Sequence, residues 1–153
     1  MDSSPRLLLI AALLPVLLCC GGGYVLLSSA VDTKTRKARE FGDEVVRRVT
    51  AQEGWNANLL RSYGSDQFQK QYSVVELAQT VTGPPGRTLG AYRTGKSYAK
   101  VVEKGSEKAA NVVDYQNSAE FDHGSAVVRM ELTEVSNRKW AVTSFAVAPT
   151  LSR

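Results

Sequence analysis

AVVRMELTEV, residues 126–135, is the stretch that decides the fold. Val128, Met130 and Leu132 fall on one parity, and Arg129, Glu131 and Thr133 on the other. A period of two with one apolar side is the pattern of a half-buried antiparallel strand. Asn137-Arg138 follows as a turn, and Lys139 to Ala148 is a matching strand with Trp140, Val142, Phe145 and Val147. The change of parity between Val142 and Phe145 predicts a bulge near Ser144. Upstream, Asp122-His123-Gly124 is a tight turn. Asn111 to Phe121 is a strand in which Val113 and Tyr115 alternate with polar neighbours. Gly105-Ser106-Glu107-Lys108 is a further turn, and Leu89 to Glu103 a first strand, bent or bulged near Gly95.

The half before the strands reads as helical. Ala38, Phe41, Val45, Val46 and Val49 share one helical face, and Glu40, Asp43, Glu44, Arg47 and Arg48 take the other. This helix is expected to end near Gly54. Trp55, Leu59, Leu60 and Tyr63 turn inward on a short second helix that Gly64-Ser65-Asp66 breaks, and Phe68 sits on another short turn. Ser73-Val74-Val75-Glu76 is a capping box, in which each side chain satisfies an orphan backbone N–H. Val74, Leu77, Ala78 and Val81 are the expected buried stripe of that helix, and Gly83-Pro84-Pro85-Gly86 its expected stop. Helices followed by strands give an α+β class, with the helices on one face of a curved antiparallel sheet of about four strands.

Ahead of this body, Leu7 to Val31 is an unbroken run of 25 uncharged residues. As a helix it would be about 38 Å long, and a hydrocarbon core of about 30 Å is within its reach. Pro15 and Gly21-Gly22-Gly23 are tolerable in such a span. A retained single span is the reading adopted for residues 1–31. Two alternatives stay open: a cleaved signal peptide ending at Ser28-Ser29-Ala30, and a lipoprotein acylated at Cys19 or Cys20, where Leu18 is a poor preceding residue. Residues 32–40 form a basic juxtamembrane segment. Lys34, Arg36, Lys37 and Arg39 are its expected membrane-surface contacts, to lipid headgroups. The positive-inside rule then places the body in the cytoplasm.

The net charge of +4 is not a nucleic-acid signature. Residues 32–39 hold four basic residues and one acid, whereas residues 40–153 hold 14 basic and 13 acidic residues. A nearly neutral body offers no stripe for a phosphate backbone, so nucleic acid is not an expected partner. Both cysteines lie in the apolar run, which removes disulfide and thiolate chemistry from the body. Residues 41–149 suffice for one domain with one core.

The order of parts resembles the small cystatin-like/NTF2-like domains of unknown function found in bacteria behind signal peptides or membrane anchors. The residues that carry the resemblance are YGSDQFQKQYSVVELAQTV (63–81), RTLGAYR (87–93) and NRKWAVTSFAV (137–147). It covers roughly Phe41 to Ala148 and implies an extracytoplasmic body, opposite to the charge rule. A looser resemblance, to cytochrome oxidase assembly or translocase-accessory proteins, implies a partner in a membrane complex, with Gly21 to Gly23 in the span as the contact.

Candidate chemistry is sparse. His123 is the only histidine, and beside Asp122 it reads as a solvated turn residue rather than half of an acid/base pair. No cluster has metal-ligand spacing. Larger relatives of the NTF2 group use a carboxylate in the cone between helix and sheet. The acids available here, Asp114, Glu120, Glu131 and Glu134, read as solvated, with Glu131 and Glu134 on different faces. Trp55, Tyr63, Tyr115 and Trp140 are the candidate pocket lining, with plain core as the competing role. Lys96, Lys100 and Lys104 alternate on the first strand as protection for an exposed edge. Gly83-Pro84-Pro85-Gly86 lacks the Lys-Ser/Thr of a phosphate loop. No catalytic residue, cofactor or metal is expected. The expected function is a membrane-tethered, non-catalytic domain that binds a ligand or another membrane or envelope protein. An assembly accessory and a small-molecule enzyme using the cone are the alternatives.

Overall fold

The structure, a computed structural model, describes residues 32–104, 107–135 and 139–150. The anchor at 1–31, its glycine triplet, and the turn residues Gly105, Ser106, Asn137 and Arg138 lie outside the described residues. Among the described residues no helix is long and apolar enough to cross a membrane.

Helix α1 spans residues 32–49, so the basic segment 32–40 is helical. Its apolar stripe is the one expected: Ala38, Val45, Val46 and Val49 are buried and Phe41 is half-buried. Arg47 and Arg48 are exposed. Glu44 meets Arg48 one turn on at 3.2 Å, an exposed pairing that is worth only tenths of a kcal/mol. The helix closes at Thr50, whose hydroxyl donates to Val46 O at 2.6 Å.

Three short helices and a π-turn follow. Helix α2 (Ala57–Tyr63) is capped by Asn56, whose Oδ1 accepts from Leu59 N. Helix α3 (Asp66–Gln71) is capped by Ser65, and Arg61 donates to the carbonyls of Gln69 and Tyr72 at its end. Helix α4 (Val74–Glu76) begins with the capping box, Glu76 accepting from Ser73 N at 2.8 Å.

Beyond α4 the structure corrects the sequence reading. Leu77–Thr82 is π-helical, and Gly83–Leu89 forms a further helix, α5. The Gly-Pro-Pro-Gly run therefore opens a helix instead of stopping one. Prolines in the first turn lose nothing, because those N–H groups have no partner in the helix anyway. The wider π-turn aligns residues five apart. Leu77 and Thr82 are therefore the buried pair, Thr82 donating to Leu77 O at 3.1 Å, and Ala78 is exposed.

The sheet is a meander in the order β1-β2-β3-β4, every neighbour antiparallel. Its strands are β1 (Tyr92–Lys104), β2 (Glu107–Phe121), β3 (Gly124–Val135) and β4 (Lys139–Thr150). The first strand starts three residues later than expected because Leu89 ends α5 and Gly90 turns the chain at φ 78°. Gly95 is paired regularly with Ala119. The irregularities of β1 fall instead between Tyr92 and Thr94 and between Val101 and Glu103. The bulge expected near Ser144 is present, with Thr143 as the extra residue between the Leu132–Val142 and Glu131–Ser144 pairs.

Val113, Tyr115, Ala119 and Phe121 of β2 and Ala126, Val128, Met130 and Leu132 of β3 are all buried. With the buried residues of the helices they form one core cluster. Asp114, Gln116, Ser118 and Glu120 of β2 point the opposite way and are exposed. The helices thus cover one face, the inner face, and the outer face is open. β1 is an edge strand, and its Lys96 and Lys100 are exposed, as edge protection requires. The β4 edge is closed locally by Ser65 N, which donates to Val142 O at 2.8 Å.

Candidate functional site

The four aromatics considered as a pocket lining all belong to the core cluster or pack against it. Trp55 is 3 % exposed; its Nε1 donates to Gly90 O at 2.8 Å, and its ring lies 5.2 Å from that of Phe121. Tyr63, at the end of α2, is half-buried and donates to Glu44 Oε1 at 3.3 Å. Burial first, and then the Glu44 charge, raise its pKa. Trp140 packs half-buried against the core from β4. Tyr115 is buried at the centre of β2. Trp55 and Tyr115 border different clefts.

His123 and Asp122 form the exposed turn between β2 and β3. Asp122 is already engaged elsewhere: it accepts from Arg93 Nε at 2.7 Å and from Ala91 N at 3.1 Å. His123 N donates to Leu89 O at 2.9 Å, so this turn stitches the start of β1 to the β2–β3 corner. The Arg93 hydrogen bond first, and the Ala91 N–H second, hold the Asp122 carboxyl below its ordinary range. A carboxyl lowered in the folded state stabilises it above the unfolded pKa of about 4. That contribution is lost as the pH falls through the lowered folded value. In thermal melts between about pH 5 and pH 2, Asp122→Asn should remove part of the acid-side loss of stability seen in the wild type. Superimposable pH profiles would show that the pairing does not stabilise the fold.

The open sheet face carries a grouping of charge. Its register sets Lys100 beside Asp114, Asp114 beside Glu131, and Glu131 beside Ser144. The next row is Tyr98, Gln116 and Arg129. These residues line a shallow depression of about 440 Å³. Two carboxylates directly opposite on neighbouring strands repel each other. Among the described residues, neither Asp114 nor Glu131 is in an ion pair. Glu131 instead accepts from the bulge residue Thr143, at 3.1 Å. Tyr98, 64 % exposed, stands at the rim. Of the other acids, Glu120 is exposed and Glu134 half-buried.

Under the sheet, Tyr115 donates to Asp43 Oδ1 at 2.6 Å, and Asn117 Nδ2 donates to Tyr115 Oη at 2.9 Å. The sequence reading passed over Asp43 and Asn117. By its position on α1, Asp43 belongs with Glu40, Glu44, Arg47 and Arg48 on the face opposite the apolar stripe. Asn117 shares the parity of Val113, Tyr115 and Ala119, which by itself marks a polar residue in the core. Among the described residues no group of three His, Cys, Asp or Glu could hold a metal ion.

Fold and surface together define an α+β domain with helices on one face of a four-stranded antiparallel meander and a charged, open second face. Comparison with protein-family models, with curated proteins and with solved structures finds no match to this chain.

Proposed function

We propose that this chain is a membrane-tethered, non-catalytic interaction domain of the cystatin-like/NTF2-like kind. Its partner is another membrane or envelope protein, held on the open face of the sheet. The observation that carries the reading is the charged row Lys100, Asp114, Glu131 with Arg129 beside it. A partner with a basic side chain between Asp114 and Glu131 would relieve their repulsion and gain charge-assisted hydrogen bonds. Tyr98 offers the amphipathic ring that interfaces favour. The uncharged run Leu7 to Val31 supplies the tether, and Lys34, Arg36, Lys37 and Arg39 the contact with lipid headgroups. The domain works outside the cytoplasm.

The test is site-specific photo-cross-linking of the full chain in native membranes. A benzophenone amino acid at position 98 should give a discrete adduct, and one at position 58, on the helical side, should not. Asp114→Lys with Glu131→Lys should abolish the adduct and leave the melting temperature within a few degrees. Protease should degrade the adduct from the outside of right-side-out vesicles. No adduct at position 98, or one that survives the charge reversal, would sink the interaction reading. Degradation only in inverted vesicles would place the body in the cytoplasm and overturn the localisation.

A further inference from the structure

The polar cluster beneath the sheet has more acceptors than donors. Tyr115 is 1 % exposed and Asn117 2 % exposed. Burial first, and then the bond to Asp43, push the Tyr115 phenol pKa up, so the hydroxyl keeps its proton and donates a hydrogen bond to Asp43. Asn117 Nδ2 is satisfied by Tyr115 Oη, but Asn117 Oδ1 is buried with no partner. A buried acceptor left unmade costs free energy on the order of 1–3 kcal/mol, so one in a native core calls for an explanation. Among the described residues the Asp43 carboxylate accepts from the Tyr115 hydroxyl and no ion pair meets it.

Gly95 marks where this cluster comes next to the edge strand of the sheet. It lies on edge strand β1, exposed, at the inner-face position beside Asn117. A side chain there would collide with Asn117 Oδ1 and come within 3.0 Å of the Tyr92 hydroxyl. Glycine thus leaves the unpartnered oxygen next to the rim of the sheet, with the Tyr92 hydroxyl beside it. Asp43 is half-buried on the helix above.

We propose that Asp43, Tyr115 and Asn117, reached past Gly95 and Tyr92, form a binding site for a small ammonium compound. The Asn117 carbonyl and the Asp43 carboxylate are both acceptors, and a protonated amine supplies donors and a balancing positive charge. A neutral molecule with acceptors only would leave Asn117 Oδ1 as it is. The site is on the inner face, and so stands or falls separately from the outer-face interaction.

Ethylammonium chloride is the probe, titrated into the full chain in lipid nanodiscs against sodium chloride at equal ionic strength. Melting temperature and titration heat are the readouts. The wild type should show a saturable rise in melting temperature with ethylammonium only, as ligand linkage requires. Asn117→Leu removes the orphan acceptor at similar volume; it should melt at or above the wild-type temperature and lose the ethylammonium response. Asp43→Asn should weaken binding by about tenfold or more, the loss of one charge-assisted contact. Asp43 is half-exposed, so this variant reads the site even if Asn117→Leu does not fold. A wild type indifferent to ethylammonium would overturn the proposal and leave a bound water as the donor for Asn117. A response unchanged in both variants would overturn it as well.

Discussion

Trp55→Ala should lower the melting temperature by about 10 °C or more, the larger of the two strongest effects expected in this fold. The side chain is 3 % exposed and joins elements far apart in the chain. Its Nε1 donates to Gly90 O, on the residue that turns α5 into β1. Its ring lies against Phe121 at the end of β2. Gly86 of α5 packs so close that a Cβ there would stand 2.8 Å from Trp55 N and 3.0 Å from its Cγ. Truncating a buried tryptophan costs about 3–5 kcal/mol, against a total stability of about 5–15 kcal/mol for a typical domain. For a body of this size, each kcal/mol is worth about 2–8 °C. Trp55→Phe separates the two contributions. It keeps most of the ring contact but leaves Gly90 O without its donor, for a loss of about 1–3 kcal/mol. Circular dichroism melts of both variants in the same detergent check the order. Equal losses would mean that the hydrogen bond, and not the packing, is what Trp55 supplies.

The strands were legible in the sequence because alternation is a local signal. Val128, Met130 and Leu132 announce their face without knowledge of their partners, and the Thr143 bulge shows as a broken parity in its own strand. The capping box at Ser73 and Glu76 was legible for the same reason, since both halves lie within one turn. The Gly83 to Gly86 run was misread because two opposite rules apply to proline. It stops a helix that needs its N–H and opens one that does not. The choice was made by the π-turn before it, where Gly83 abuts Ala78 O so closely that no other residue fits. That contact is local to the π-turn and leaves no period in the sequence.

The candidate sites divide along the same line. The row Lys100, Asp114 and Glu131 is a matter of register across three strands, which parity within one strand does not fix. Parity did place Asp114 and Glu131 outward. That they face each other depends on the length of the turn between β2 and β3, and that Lys100 joins them on the turn between β1 and β2. Asp43 was hidden by its own neighbours: on α1 it stands among Glu40, Glu44, Arg47 and Arg48, and only the Tyr115 hydroxyl, 72 residues away, sets it apart. Asn117 needed no partner to be noticed. A lone amide on the buried parity of β2 is a polar group that the core must satisfy, and its Oδ1 is the one the fold leaves open.

Gly42→Val should cost about 3 kcal/mol, although a rule based on helix propensity alone gives the opposite sign. Removing a glycine from a helix interior normally gains up to about 1 kcal/mol. Gly42, however, is where α1 lies directly against the Tyr115 ring of the sheet. A Cβ at this position would fall within the Tyr115 ring, against Cδ2 and Cε2 and 2.8 Å from Cγ. Neither side can retreat. Val45, Val46 and Val49 hold α1 down with no more than 1 % exposure each, and Tyr115 is pinned by its hydroxyl to Asp43, one residue along the same helix. Overpacking of this kind costs about 1–3 kcal/mol, occasionally more, and a branched side chain adds its own helical penalty. Gly42→Ala, with the helix gain set against the clash, should lose at most about 2 kcal/mol. Tyr115→Leu should make Gly42→Val less harmful, because the ring it strikes is gone. A coupling of about 1–3 kcal/mol in the double-mutant cycle is expected. Additive losses would mean that α1 yields as a body, and the approach at Gly42 would then not be what sets the spacing of helix and sheet around Asp43 and Asn117.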